Sequence, residues 1–285
     1  MSLNFRSPIT PPTHKVPGGS CDCHLHIVGP LDRFPLRETR TFQPGQALLE
    51  DYRNMAETVG IERMVIVQPS FFGTDNSCTL NAVAVVGDKA RAVVVVDPRI
   101  GDTELSDLHA QGARGIRIQT YAEGGLSLDV LEHLAKRIQP FGWHIQLFLD
   151  AESLPDIADR LWSCPVQLVF DHMAHIHKNN GIQSPGFRVL LDLLASGRAW
   201  VKLSNALFEP SVARARALVE CNPSRVVWGS DWPHVAYKAE APDDGHLLDA
   251  LFDWVPDERT SKLILVDNPK RLYFDDRDQN ISRAK

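Results

Sequence analysis

The chain has 285 residues, 44% hydrophobic and 23% charged, which suits a large buried core in one (β/α)₈ barrel or two modest domains. A net charge of −6 leaves no basic footprint for nucleic acid, and no apolar run reaches the roughly 18 residues of a membrane span, so neither partner is expected. Five cysteines, an odd and scattered set, argue against a disulfide framework and predict a reducing, cytoplasmic setting.

Residues 1–19 are rich in Pro, Ser and Gly and lack the apolar stretch of a secretory signal, so they are expected to form an extended arm. Residues 20–285 then read as one domain. Short β-branched runs recur: "CDCHLHI" (21–27), "RMVIVQPS" (63–70), "ARAVVVVD" (90–97), "ARGIRIQT" (113–120), "WHIQLFLD" (143–150), "VQLVFDH" (166–172), "AWVKLSN" (199–205) and "RVVWGSD" (225–231). Between them lie helix-period segments such as "LSLDVLEHLAKRIQPFG", with Leu128, Leu131, Leu134 and Ile138 on one broad face. Alternating β and α predicts a parallel sheet with helices outside it. Eight units without a linker, and without G-x-G-x-x-G opening a first helix, predict the α/β class as a distorted TIM (β/α)₈ barrel. "APDDGHLLDALFDWV" and "ERTSKLILVDNPKRLYF" follow as C-terminal closing helices, with "VDNPKRLY" read as a helix-starting turn.

Strand side chains alternate between faces. On the first run Asp22, His24 and His26 share a face, predicted to point into the barrel, while Cys21, Cys23 and Leu25 turn towards the helices. On the fifth, Ile145, Leu147 and Leu149 suit the helices, which leaves His144, Gln146 and Phe148 inside. The same reading points Gln68 and Ser70, Arg117 and Gln119, and His172 inward. Six of the eight strands then finish in a chemically capable group: His24/His26, Ser70, Arg117, Gln146, His172 and Asp231. In such barrels the active site lies at that C-terminal rim.

Structural readings stand beside these. His172 could be a core histidine paired with Asp171, Asp231 could cap a turn, and Arg117 could serve an internal ion pair. His234 divides evenly between substrate contact and loop packing. Lys202 and Ser204 lean to structure, as does the second H-x-H, His175 to His177, in a polar loop.

The motifs "DCHLHIVGP", "VIVQPSFFGTDN", "GARGIRIQ", "GWHIQLFLDA", "VFDHMA", "VWGSDWPH" and "LILVDNP" resemble the amidohydrolase superfamily over residues 20–275, in its order. They are most similar to the branch of small-lactone hydrolases that includes the pyrone-dicarboxylate lactonases. The resemblance implies a barrel that hydrolyses small molecules, with His24, His26, His172 and Asp231 as the reaction centre. It implies substrates that are carboxylated lactones, in some relatives with a divalent metal and in others without. A sugar-lactone isomerase of the branch lacks parts of the H-x-H and the Asp, which this chain keeps. Tyrosines of the pyrone lactonases are replaced by Phe42 and Phe148, and arginines by Glu123, His175 and Phe208. Only Arg117 of the carboxylate grip is retained, which points to a substrate with less negative charge or more apolar surface.

The expected chemistry is ring opening of a small lactone or related carboxylate. Asp231 is the general base for water. His24, His26 and His172 stabilise the oxyanion, Arg117 pins a carboxylate through its planar fork, and Ser70, Gln146 and His234 are further substrate contacts. A two-metal site is not expected, because the fourth and fifth strands supply no bridging ligand. No obligatory cofactor is slightly favoured; the alternative is one Zn²⁺ or Mn²⁺ on His24, His26 and Asp231, with His172 as a further ligand. A metal-dependent decarboxylase and a silent binding barrel remain alternative readings, and either a monomer or a homo-oligomer fits.

Overall fold

The computed structural model describes residues 9–41, 43–175, 181–204, 209–235 and 241–275. Each of the eight β-branched runs holds a parallel strand: β1 Cys21–Leu25, β2 Arg63–Val67, β3 Ala90–Val94, β4 Ala113–Gln119, β5 His144–Phe148, β6 Leu168–Phe170, β7 Ala199–Leu203 and β8 Val226–Trp228. They lie side by side in chain order. The ring closes just beyond β8, where Leu25 bridges Trp232, Asp231 donates to the His24 carbonyl and His26 donates to the Trp232 carbonyl. Gly229 permits that approach: a Cβ there would lie 2.7 Å from the His24 Cβ. The result is a nearly closed α/β barrel of the expected class.

The helices are α1 Leu49–Val59, α2 Ser77–Val86, α3 Asp102–Ala110, α4 Leu131–Ile138, α5 Leu154–Ser163, α6 Pro185–Ala195, α7 Glu209–Cys221, α8 Asp244–Trp254 and α9 Glu258–Lys262. Their apolar faces and the strand residues Leu25, Ile66, Ile116, Ile118, Ile145, Leu147 and Phe170 form the main core between sheet and helices. Burial at about 25 cal/mol per Å² drives this packing. Among the described residues no helix is long and apolar enough to cross a membrane.

A second cluster joins Cys21, Cys23, Val65, Val67, Val93, Val169, Trp200, Val227 and Tyr273. Strands from opposite sides of the ring can meet only inside it, so this is the barrel floor. The chain after α9 continues as two π-helical turns, Leu263–Asp267 and Lys270–Phe274, which bring Tyr273 into that floor. "VDNPKRLY" therefore continues a helix rather than starting one. Asn268 anchors it by donating to the carbonyls of Pro223 and Val226.

The floor corrects two expectations. Cys21 and Cys23 face into the barrel, and Asp22 faces outward, where it accepts from Tyr52 of α1. A register shift between Asp22 and Leu25 is responsible: it breaks the alternation, so Cys23 and His24 both reach the interior. On β2, Val65 and Val67 occupy the inner face, so Gln68 points out and ties Gly73, Asp75 and Thr79 of the β2–α2 connection.

The arm lies along α8 over its described part. Thr10 and Thr13 donate backbone N–H groups to Asp243 and Asp249, and His14 stacks on Phe252.

Candidate active site

Three buried imidazoles surround one carboxylate at the C-terminal rim. Asp231 Oδ1 lies 3.6 Å from His24 Nε2, 3.8 Å from His26 Nε2 and 3.8 Å from His172 Nε2. The backbone that aims these groups is unusual. Asp231 and the consecutive residues His172, Met173, Ala174 and His175 all have φ between 48 and 67°. Left-handed non-glycine residues cost roughly 1–3 kcal/mol each and concentrate at functional sites. After β6 this run turns the chain so that both Asp171 and His172 reach the centre.

The far nitrogen of each ring is held. His26 Nδ1 is 2.7 Å from the Val67 carbonyl, which only accepts, so Nδ1 carries the proton and Nε2 presents a lone pair. His172 Nδ1 meets the Ser204 hydroxyl at 2.8 Å. His24 Nδ1 lies 3.1 Å from Asp171 Oδ1. A neutral His26 cannot donate to an oxyanion, which removes one of the three donors expected from sequence. Burial holds His24 well below the usual imidazole range and brings His26 and His172 to about 4, so all three are neutral at pH 7. Burial pushes Asp231 up.

Behind this centre sits a hub that sequence reading missed. Asp171 is fully buried, lies against His24 Nδ1 and receives Arg117 Nε at 3.1 Å, Gln146 Nε2 at 3.0 Å and Lys202 Nζ at 3.3 Å. Burial alone would raise its pKa, but the Lys202 and Arg117 cations and the donors around it outweigh burial and hold the carboxyl well below its ordinary value. Gln146 spends its other end on Lys202 Nζ at 2.7 Å, so it braces the hub. Two signals pointed here: Asp171 shares an inward parity with Val169, and Lys202 is a lone charge in an apolar strand.

The remaining expected contacts divide. Arg117 gives Nε to Asp171 and Nη1 to the Gln68 carbonyl, lies 5.3 Å from the Phe148 ring centroid and bears on His26, His172 and Asp231, so it flanks the centre. Phe148 also meets His172 edge-on at 5.2 Å. His234 Nε2 turns to Asp244 at 3.1 Å, although its backbone N–H donates to the Asp231 carbonyl. Ser70 is buried one turn past β2, and among the described residues its hydroxyl makes no hydrogen bond to the histidine cluster. Phe42, His177 and Phe208 lie outside the described residues.

His24, His172 and Asp231 offer ligand atoms all within 4.8 Å of one another, with His26 beside the same carboxylate oxygen. His24 Nε2 is buried with no hydrogen-bond partner. The His26 lone pair facing a carboxylate oxygen is repulsive unless a proton or cation lies between them, and the donor set of His24, His172 and Asp231, with His26 next to it, fits one divalent ion. Cys21 and Cys23 stand outside this group.

The family model described as amidohydrolase matches residues 21–274. The 4-sulfomuconolactone hydrolase of Hydrogenophaga intermedia is 33% identical over 93% of this chain and 92% of its own length. The 2-pyrone-4,6-dicarboxylate hydrolase of Comamonas testosteroni is 34% identical over 92% of each chain. The D-galactarolactone isomerase of Agrobacterium fabrum is 31% identical over 93% of this chain and 94% of its own. An apo crystal structure from Agrobacterium tumefaciens superposes with a TM-score of 0.85 at 30% identity, covering 92% of this chain and 98% of that one. A zinc-bound amidohydrolase from Burkholderia multivorans, at 18% identity, shares the fold with a TM-score of 0.69, covering 89% of this chain and 98% of that one.

Proposed function

The chain belongs to the amidohydrolase family, and from that premise we propose that it hydrolyses the ring ester of a small carboxylated lactone. The observation that carries the reading is one buried carboxylate, Asp231, facing three neutral imidazoles beside a retained arginine. Asp231 takes a proton from the attacking water, a role worth typically 10²–10⁴ in rate. Arg117, braced through Nε on Asp171 and through Nη1 on the Gln68 carbonyl, turns its remaining guanidinium N–H groups to a substrate carboxylate. Burial of the centre keeps bulk water away and strengthens each of these interactions.

His24, His26, His172 and Asp231 would hold a single divalent cation. When bound, such an ion polarises the lactone carbonyl and lowers the pKa of a bound water. The His26 tautomer supports this reading over one in which three imidazoles donate to the oxyanion. The retained H-x-H and Asp231 favour hydrolysis over isomerisation.

The test is turnover on a panel of lactones bearing none, one or two carboxylates, following ring opening, isomer formation and CO₂ release in parallel. Ring opening confined to carboxylated lactones is expected. Isomer or CO₂ as the sole product would replace this reading.

A further inference from the structure

His24 differs from its two neighbours in what faces its Nδ1. The Val67 carbonyl allows His26 one tautomer. His24 Nδ1 lies between opposite charges: Asp171 Oδ1, an acceptor, at 3.1 Å, and Lys202 Nζ, a donor, at 3.2 Å. All three side chains are fully buried, so water cannot substitute for either partner. With a proton on Nδ1 the ring donates to Asp171. Without it, the ring accepts from Lys202. Each state finds one partner at this end, and the choice falls to the other end, where Nε2 faces Asp231 Oδ1 at 3.6 Å.

We infer that Lys202 and Asp171 make His24 a two-way tautomer switch, with Lys202 as the positioning residue for one state. When a cation occupies the centre, Nδ1–H donates to Asp171 and the Nε2 lone pair turns inward. When the centre holds none, Lys202 donates to Nδ1 and Nε2–H points towards Asp231. The ring carries one proton in both states, so the switch changes neither its charge nor the proton count. It replaces the His24 lone pair facing Asp231 by an N–H, while that of His26 stays in place. A fully buried lysine inside a barrel is costly to retain, and this role accounts for its place.

The test uses the full chain with ¹⁵N-labelled histidine, the His24 signals being identified by their loss in His24→Gln. Two-bond ¹⁵N–¹H correlations report which ring nitrogen is protonated. In wild-type protein stripped of metal, His24 is expected as the Nε2–H tautomer, moving to Nδ1–H with one equivalent of Zn²⁺. In Lys202→Met, His24 is expected as Nδ1–H before zinc is added. A wild-type tautomer that zinc does not change overturns the inference, as does a folded Lys202→Met whose metal-stripped spectrum matches wild type. Should Lys202→Met fail to fold, the wild-type arm decides alone. The readout needs no turnover, so it stands or falls separately from the lactonase reading.

Discussion

Asp171 Oδ1 stands 3.1 Å from His24 Nδ1, with both side chains fully buried. The same carboxylate also receives Arg117, Lys202 and Gln146. One anion thus orients a ring of the centre and compensates two buried cations. Asp171→Asn keeps the shape but leaves those cations without their counter-charge. Stability is expected to fall by about 3 kcal/mol and kcat by about 10–100-fold. Denaturant midpoints and steady-state rates check this; an unchanged midpoint would remove the hub from the account.

Asp231 is the only carboxylate among the described residues that faces all three Nε2 atoms. Asp231→Asn removes the base while preserving size and the backbone bonds that close the barrel. Turnover is expected to drop by about 10³-fold or more, with near-native circular dichroism. Hydrolysis close to the wild-type rate would sink the mechanism.

The fold was largely legible because eight β-branched runs and their intervening helical periods are strong, local signals. The site was legible in part. Plain alternation failed on β1, where a register shift admits both Cys23 and His24. It failed again after β6, where four left-handed residues let Asp171 and His172 both point inward. Neither a shift nor a left-handed run leaves a mark in residue type here, since no glycine occupies 172–175. Lys202 was visible as an anomaly but read as structural, because its partners come from other strands.

Arg117 already spends its Nε on Asp171 and Nη1 on the Gln68 carbonyl, so its value to substrate lies in its remaining N–H groups. Arg117→Lys keeps charge but loses bidentate geometry. KM for carboxylated lactones is expected to rise about tenfold or more, while uncharged lactones are affected less. Equal effects on both classes would show that Arg117 braces the hub without gripping substrate.

Purified protein is expected to carry about one Zn²⁺ or Mn²⁺ per chain by elemental analysis, reflecting a single ligand set rather than a pair. Removing it with a chelator should lower the melting temperature, because a ligand bound only to the folded state stabilises by RT ln(1 + [L]/Kd). Full activity in protein shown to be metal-free would favour Asp231 acting without an ion.

Asp22 supplies a pH test away from the substrate. Burial pushes its carboxyl up to about 6, against hydrogen bonds from Ser230 and the His24 backbone that pull it down. The folded state therefore binds this proton more tightly than the unfolded chain, where the group titrates near 3.8. The stability it contributes is fully present below that value and is lost as pH rises through about 6. The loss is on the order of 3 kcal/mol at 1.36 kcal/mol per pH unit. Asp22→Asn keeps an acceptor for the His24 and Ser230 N–H groups, while the hydroxyls of Ser230 and Tyr52 can rotate to accept from the new amide. The wild-type advantage over Asp22→Asn should therefore shrink between pH 4 and pH 7. A difference in unfolding free energy that stays constant over that interval would show that Asp22 is ionised throughout.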